Sequence, residues 1–135
     1  HYFYEDVSGR PHSDDNHELV ETDDTFYVMR HSPKDPSNVE FESYTTWIDK
    51  QSFLPMKIEY TNAAGDIYRR VEVLKSEMIG GHPTVTTSRV SDLLTGGKTD
   101  MQFRYIQYDV GLPEQVFTER SLRTPPREWL KRPVE

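Results

Sequence analysis

The stretch at 44–75 limits the possible folds more than any other part of the sequence, because it contains three strand patterns in a row. In the middle pattern, apolar and polar residues strictly alternate, which places Met56, Ile58 and Tyr60 on one face of a strand. A turn-forming segment, NAAGD at 62–66, separates it from the third pattern. Such short connections join antiparallel neighbours. The stretch therefore predicts an antiparallel meander with one apolar face.

Strand patterns continue on both sides of this stretch. Two short ones at 17–21 and 25–31 flank a Thr-Asp-Asp turn, and two longer ones at 82–93 and 99–108 flank a Thr-Gly-Gly-Lys turn. A short helix is predicted at 113–122, with a proline and a glutamate in its first turn. The sequence thus predicts a mainly β fold of about seven strands in one antiparallel meander sheet, with one or two short helices.

Length and composition fit one domain and exclude several functions. The 135 residues form a single predicted domain, with a proline-rich tail at 123–135. No cysteine is present, which excludes disulfides, thiolate metal sites and a cysteine nucleophile. The net charge of −7 is concentrated in the N-terminal third, and no basic segment predicts a nucleic-acid partner. No apolar run approaches the ~18 residues of a membrane span. Because the chain begins at His1 rather than Met, we interpret it as a mature form or a fragment.

Candidate catalytic and metal-binding groups are few. The segment HSDDNH holds His12, Asp14, Asp15 and His17, which are competent ligands, but its spacing matches no zinc or calcium signature. We interpret it as a solvated acidic loop and predict no metal site and no cofactor. The sequence contains no G-x-S-x-G elbow, no Walker loop and no G-x-G-x-x-G. We therefore predict no catalytic residue and a protein that is not an enzyme.

A set of methionine, aromatic and β-branched side chains recurs at alternating positions of neighbouring predicted strands. An ordinary core explains any one of them, whereas together they suit the wall of a cavity for apolar ligands. Little helix is predicted to cover them, which favours the cavity. The candidate lining residues are Trp47, Met56, Ile58, Tyr60, Val71, Val73, Met101, Phe103 and Tyr105.

Several motifs between Tyr4 and Leu122 resemble the outer-membrane lipoprotein-sorting protein family of bacteria. They are YED near the start, WIDKxxFLPMKIEY, a Gly-Asp turn, GGHPTVTTSRV, and the later GLP and VFT. That family is similar in fold to the periplasmic lipoprotein carrier and its receptor, which are half-barrels enclosing an apolar cavity for acyl chains. The resemblance implies a curved half-barrel in the periplasm that binds lipid or lipoprotein acyl chains without catalysis, in partnership with a membrane exporter.

Two departures from the family limit what the resemblance implies. The family's N-terminal helix and first strands have no counterpart here, so the chain is expected to be the C-terminal two-thirds of a carrier-like domain. The carrier's best-known arginine matches no position in this sequence. A sheet without its first strands exposes an edge that invites pairing with another chain. The alternative function is therefore a non-enzymatic interaction module, including a homodimer joined through a sheet edge.

Overall fold

The computed structural model describes residues 9–130, so the YED motif lies outside the described residues. Seven antiparallel strands form one sheet whose spatial order is the order along the chain. The strands are β1 (Asp15–Thr22), β2 (Phe26–Pro33), β3 (Ser43–Asp49), β4 (Pro55–Thr61), β5 (Ile67–Ile79), β6 (His82–Asp92) and β7 (Lys98–Gln102). The sheet is not closed into a barrel, and the predicted mainly β antiparallel meander is confirmed.

Helix is scarce in the described part of the chain. One short α-helix, α1, spans Glu119–Arg123, and Thr118 caps it by accepting a hydrogen bond from the Ser121 backbone N–H. The remaining helical residues form single 3₁₀ turns at His12–Asp14, Pro36–Asn38, Glu114–Phe117 and Arg127–Leu130. No helix within 9–130 has the length and apolar character needed to cross a membrane.

Bulges interrupt the strand pairing at several points of the sheet. The residues left without a directly paired partner at these bulges are Val20 in β1, Met56 in β4, Tyr68 and Leu74 in β5, and Thr86 in β6. Each extra residue bends its strand and increases the local twist. The bulges therefore bend and twist the sheet, and one of its faces carries the cavity described below.

Two predicted segments differ from the structure. The strand predicted at 99–108 ends at Gln102, followed by one further backbone bond, from Phe103 N–H to the Thr86 carbonyl. The alternation at 99–108 predicts which side chains share a face. It does not predict whether the backbone pairs with a neighbouring strand, and β7 is an edge strand. The helix predicted at 113–122 is divided into a 3₁₀ turn and α1, because Thr118 between them has extended backbone.

Candidate functional site

One face of the sheet carries a half-open cavity of about 440 Å³. Directly paired residues on neighbouring strands project to the same side of a sheet. Ile58 pairs with Val71, while Ser88 pairs with Val73 on one side and Met101 on the other, so one surface continues from β4 to β7. The lining residues are Gly9, Arg10, His12, His17, His31, Phe41, Tyr44, Thr46, Ile48, Pro55, Ile58, Tyr60, Val71, Val73, Val85, Ser88, Met101 and Phe103.

Most of the residues predicted to line a cavity lie on this wall. Their polar neighbours along each strand point to the other face, as the alternation predicts. Contact with a ligand stays a prediction for all of them. The predicted residues found on the wall are Ile58, Tyr60, Val71, Val73, Met101 and Phe103.

Three predicted residues are not on the wall. Trp47 lies on the opposite face, where it pairs with Lys57, whose Nζ is 3.4 Å from the centroid of the Trp47 ring. Met56 falls at the register shift between β3 and β4, which removes it from the row formed by Ile58 and Tyr60. Tyr105 follows the end of β7 and is 52% exposed. Alternation within one strand cannot assign these residues, because their positions depend on the pairing between strands.

Three aromatic rings form the wall between the aliphatic part of the cavity and its polar end. Phe41 and Tyr60 are buried, and their ring centroids are 5.2 Å apart. Tyr44 lies 5.4 Å from Phe41 and 5.5 Å from Tyr60. Edge-to-face and tilted arrangements at these distances are favourable for aromatic pairs. The cluster fixes Tyr44 so that its hydroxyl group can reach the polar end.

A buried carboxylate organises the polar end. Asp15 is 2% exposed, and its oxygens accept hydrogen bonds from Arg10 Nε and Nη2 at 2.9–3.0 Å and from the Tyr44 hydroxyl at 2.7 Å. Burial alone would raise the pKa of Asp15, but the hydrogen bonds from Arg10 and Tyr44 outweigh it and hold that pKa below its usual value. Burial, together with this bond to Asp15, raises the pKa of the Tyr44 hydroxyl. The interpretation of HSDDNH as a wholly solvated loop is therefore wrong for Asp15.

A pair of histidines lies beside this carboxylate. His17 on β1 and His31 on β2 are directly paired, and their Nδ1 atoms are 2.7 Å apart. His17 Nε2 is 2.7 Å from the backbone carbonyl oxygen of His12. The His31 ring stacks on Tyr44 with centroids 4.4 Å apart. Burial, and then the neighbouring His17, lower the pKa of His31 to about 4.

Sequence reasoning missed the polar end as a site, although one signal for it was present. A hairpin that turns near Asp23 and Asp24 places residues symmetric about that turn opposite each other. His17 and His31 are symmetric in this way. The contact with Tyr44 had no local signal, because Asp15 and Tyr44 are brought together only by the pairing of β1, β2 and β3.

The cavity combines an aliphatic and aromatic wall with one polar end. Its volume lies within the ~300–1,000 Å³ range that is usual for small-molecule sites. Such an arrangement suits a ligand that has a hydrocarbon chain and one polar group. Within residues 9–130 no three His, Asp or Glu side chains are grouped as a metal ion would require.

The fold is similar to those of solved bacterial proteins, and the predicted resemblance to lipoprotein-sorting proteins is confirmed at the level of the fold. A putative outer membrane lipoprotein-sorting protein domain from Vibrio parahaemolyticus matches with a TM-score of 0.81 and 19% identity, over 90% of this chain and 54% of that chain. A DUF1329 family protein from Desulfovibrio piger matches with a TM-score of 0.72 and 23% identity, over 81% and 47% of the two chains. A LolA superfamily protein from Nitrosomonas europaea gives a TM-score of 0.58 and 23% identity, over 81% and 51%. The chain thus spans about half the length of each structure it matches.

Sequence comparison adds one family match. The model of a family described as "Uncharacterized protein" matches residues 1–124. No curated protein sequence matches this chain.

Proposed function

We propose that this chain, which belongs to the family described as "Uncharacterized protein", is a non-enzymatic binding module that holds lipid or lipoprotein acyl chains in the cavity on one face of its sheet. The similarity in fold to a protein named as a lipoprotein-sorting domain supports this proposal. The site of action would be the bacterial periplasm. A membrane exporter would be the partner that delivers or receives the lipid.

The continuous apolar wall from β4 to β7 is the observation that carries the proposal. The apolar side chains that line it are Ile58 on β4, Val71 and Val73 on β5, Val85 on β6 and Met101 on β7, and Ser88 lies between Val73 and Met101. Each methylene group of an acyl chain that leaves water contributes ~0.8 kcal/mol. Burial of about eight methylenes would contribute roughly 6 kcal/mol, from which the entropy cost of association is subtracted. Weak, reversible binding of the kind a transfer protein needs is the expected result.

Two charge substitutions at neighbouring positions of β5 test the proposal. Val73→Glu places a carboxylate on the cavity wall, whereas Leu74→Glu places the same carboxylate on a side chain that is 48% exposed and outside the cavity. A charge on the wall has no water or partner when an acyl chain is bound. Val73→Glu should therefore weaken decanol binding by at least about tenfold, and Leu74→Glu should change it less than about twofold. Binding is measured by displacement of an uncharged fluorescent naphthylamine, and circular dichroism verifies that both variants fold.

One observation favours the alternative, an interaction module that pairs through a sheet edge. Among the described residues β1 is paired on one side only, and it carries the exposed apolar side chains Leu19 and Val20. Such an edge can add a strand from another copy or from a partner. If the parent protein binds no decanol, or if both folded variants bind it as the parent does, this alternative becomes the better function. Sedimentation would then be expected to detect a homodimer.

A further inference from the structure

The polar end of the cavity has a hydrogen-bonding atom that the structure leaves unused. His31 lines the cavity, and its Nε2 atom is excluded from solvent without a hydrogen-bond partner among residues 9–130. A buried polar atom without a partner is costly, and native proteins contain few of them. A bound ligand would supply the missing partner.

The contacts of the His17–His31 pair determine whether His31 Nε2 donates or accepts a hydrogen bond. His17 Nε2 must carry a proton, because its neighbour is the His12 carbonyl oxygen, which can only accept. The 2.7 Å contact between the two Nδ1 atoms holds a single proton. When the pair is neutral, His31 donates at Nδ1 and its Nε2 is a bare acceptor.

One added proton reverses the role of His31 Nε2. If His17 takes the proton, its Nδ1 donates to His31 Nδ1, and the proton of His31 moves to Nε2. If His31 takes it, Nε2 is again protonated. Both arrangements make Nε2 a donor, so the charge state of the pair decides which ligand groups fit. A second added proton would put a proton on both Nδ1 atoms and break their contact.

We propose that the His17–His31 pair is a protonation-dependent head-group site, in which His31 Nε2–H binds the carbonyl oxygen of an acyl ester when the pair carries one added proton. This inference rests on the proposed function, because the cavity must first hold the acyl chain. An ester carbonyl oxygen can only accept a hydrogen bond. In the neutral pair His31 Nε2 is also an acceptor, so the two atoms repel each other. An alcohol can both donate and accept, so it fits either state.

The charged and titratable groups around the histidine pair are few. Arg10 and Asp15 neutralise each other, and the Tyr44 hydroxyl donates to Asp15. His12 lines the cavity in the preceding turn and is the other titratable side chain at this end. Arg69, which pairs with Tyr60, has its guanidinium carbon 4.9 Å from the centroid of the Tyr60 ring. The lowered pKa of His31, about 4, keeps the second proton from binding in the range from about pH 5 to about pH 8, where histidines usually titrate.

The test compares methyl decanoate with decanol, two uncharged ligands that do not titrate. Both are titrated against the parent protein from about pH 8 to about pH 5.5 by displacement of the uncharged naphthylamine. Methyl decanoate should bind about tenfold more tightly at the lower pH, the factor for one buried hydrogen bond, and decanol affinity should change less than about twofold.

Two variants assign the effect to the pair. His31→Phe keeps a ring that can stack on Tyr44 and removes both nitrogens, so it should abolish the pH dependence of methyl decanoate binding. His82→Gln removes a histidine outside the cavity lining and should leave that dependence unchanged. If His31→Phe does not fold, nitrogen NMR of the parent provides the test, because Nε2 of His31 should change from unprotonated to protonated over the same pH range.

Each outcome separates this inference from the proposed function. If decanol does not bind at any pH, the proposed function fails and the head-group site fails with it. If decanol binds but the affinity for methyl decanoate is independent of pH, the head-group site is refuted and the cavity stands. A pH dependence that persists in folded His31→Phe, or an Nε2 that stays unprotonated, also refutes the head-group site.

Discussion

Replacement of Asp15 by asparagine should destabilise the protein more than most single changes outside the core. Asp15 accepts three hydrogen bonds from Arg10 and one from the Tyr44 hydroxyl, and its side chain is 1% exposed. Asparagine at this position would keep the shape of the side chain but lose the charge that balances Arg10, whose own side chain is only 17% exposed. Removal of one partner of a buried ion pair costs about 3–5 kcal/mol, and we expect about 3 because Arg10 keeps some contact with water.

The loss should depend on pH in a defined direction. The folded state holds the pKa of Asp15 below its usual value. The stabilisation is therefore complete above the unfolded pKa of about 4 and disappears as the pH falls through the lower folded value. Urea unfolding followed by circular dichroism at neutral pH should show a lower midpoint with an unchanged m value. The difference between the parent and Asp15→Asn should narrow as the pH is lowered below about 4.

A neighbouring residue provides the matched control. Asp14 is exposed, and its side chain accepts only a hydrogen bond from Ser13 among the described contacts. Asp14→Asn should leave the unfolding midpoint unchanged, while Tyr44→Phe should lower the free energy of unfolding by about 1.5 kcal/mol through loss of one bond to a charged group. Equal midpoints for Asp14→Asn and Asp15→Asn would refute the reasoning.

Two further predictions concern His31 and Gly65. Nitrogen NMR should show both ring nitrogens of His31 protonated only near pH 4, and since this folded pKa lies below the usual histidine value, His31 should reduce stability as the pH falls from about 6.5 toward 4; two protonated ring nitrogens on His31 near pH 6.5 would contradict its burial. Gly65→Ala should lower the free energy of unfolding in urea by about 1 kcal/mol, because Gly65 has a φ of +87°. Gly97 has ordinary backbone and ordinary contacts, so Gly97→Ala should not lower it. Equal effects of the two substitutions would show that the left-handed conformation is not the cause.

The strands could be predicted from the sequence because their signals are local. Alternation, Pro55 and the turn at 62–66 gave β4 almost at its observed bounds, Pro55–Thr61. The third predicted strand is β5, which continues beyond the predicted alternation to Ile79. Its outer half pairs with β6 in a long hairpin, and the bulges around Lys75 break the alternation that would have revealed it.

The cavity was predictable only in part because its wall depends on register. Ile58 and Tyr60 follow from alternation within one strand. Trp47 is predicted on the same face, but it lies on the opposite one. Its face depends on its pairing with Lys57, and the residues of β3 alone do not determine that pairing. The Arg10–Asp15 pair could not be predicted because it lies in a run of charged and turn-forming residues, which is typical of a solvated loop. The residue that contacts Asp15 from a distant part of the chain is Tyr44, and the sequence does not indicate that contact.

The spatial order of the seven strands has a consequence for how the chain reaches its native state. Every strand pairs with the next one along the sequence, so each new strand closes only a short loop. Folding rates rise as the average sequence separation of native contacts falls. A chain emerging from a ribosome could therefore form this sheet one hairpin at a time, with β1 and β2 in place before β7 is synthesised. A sandwich of equal length has to wait for its distant strands, and it should fold more slowly than this meander.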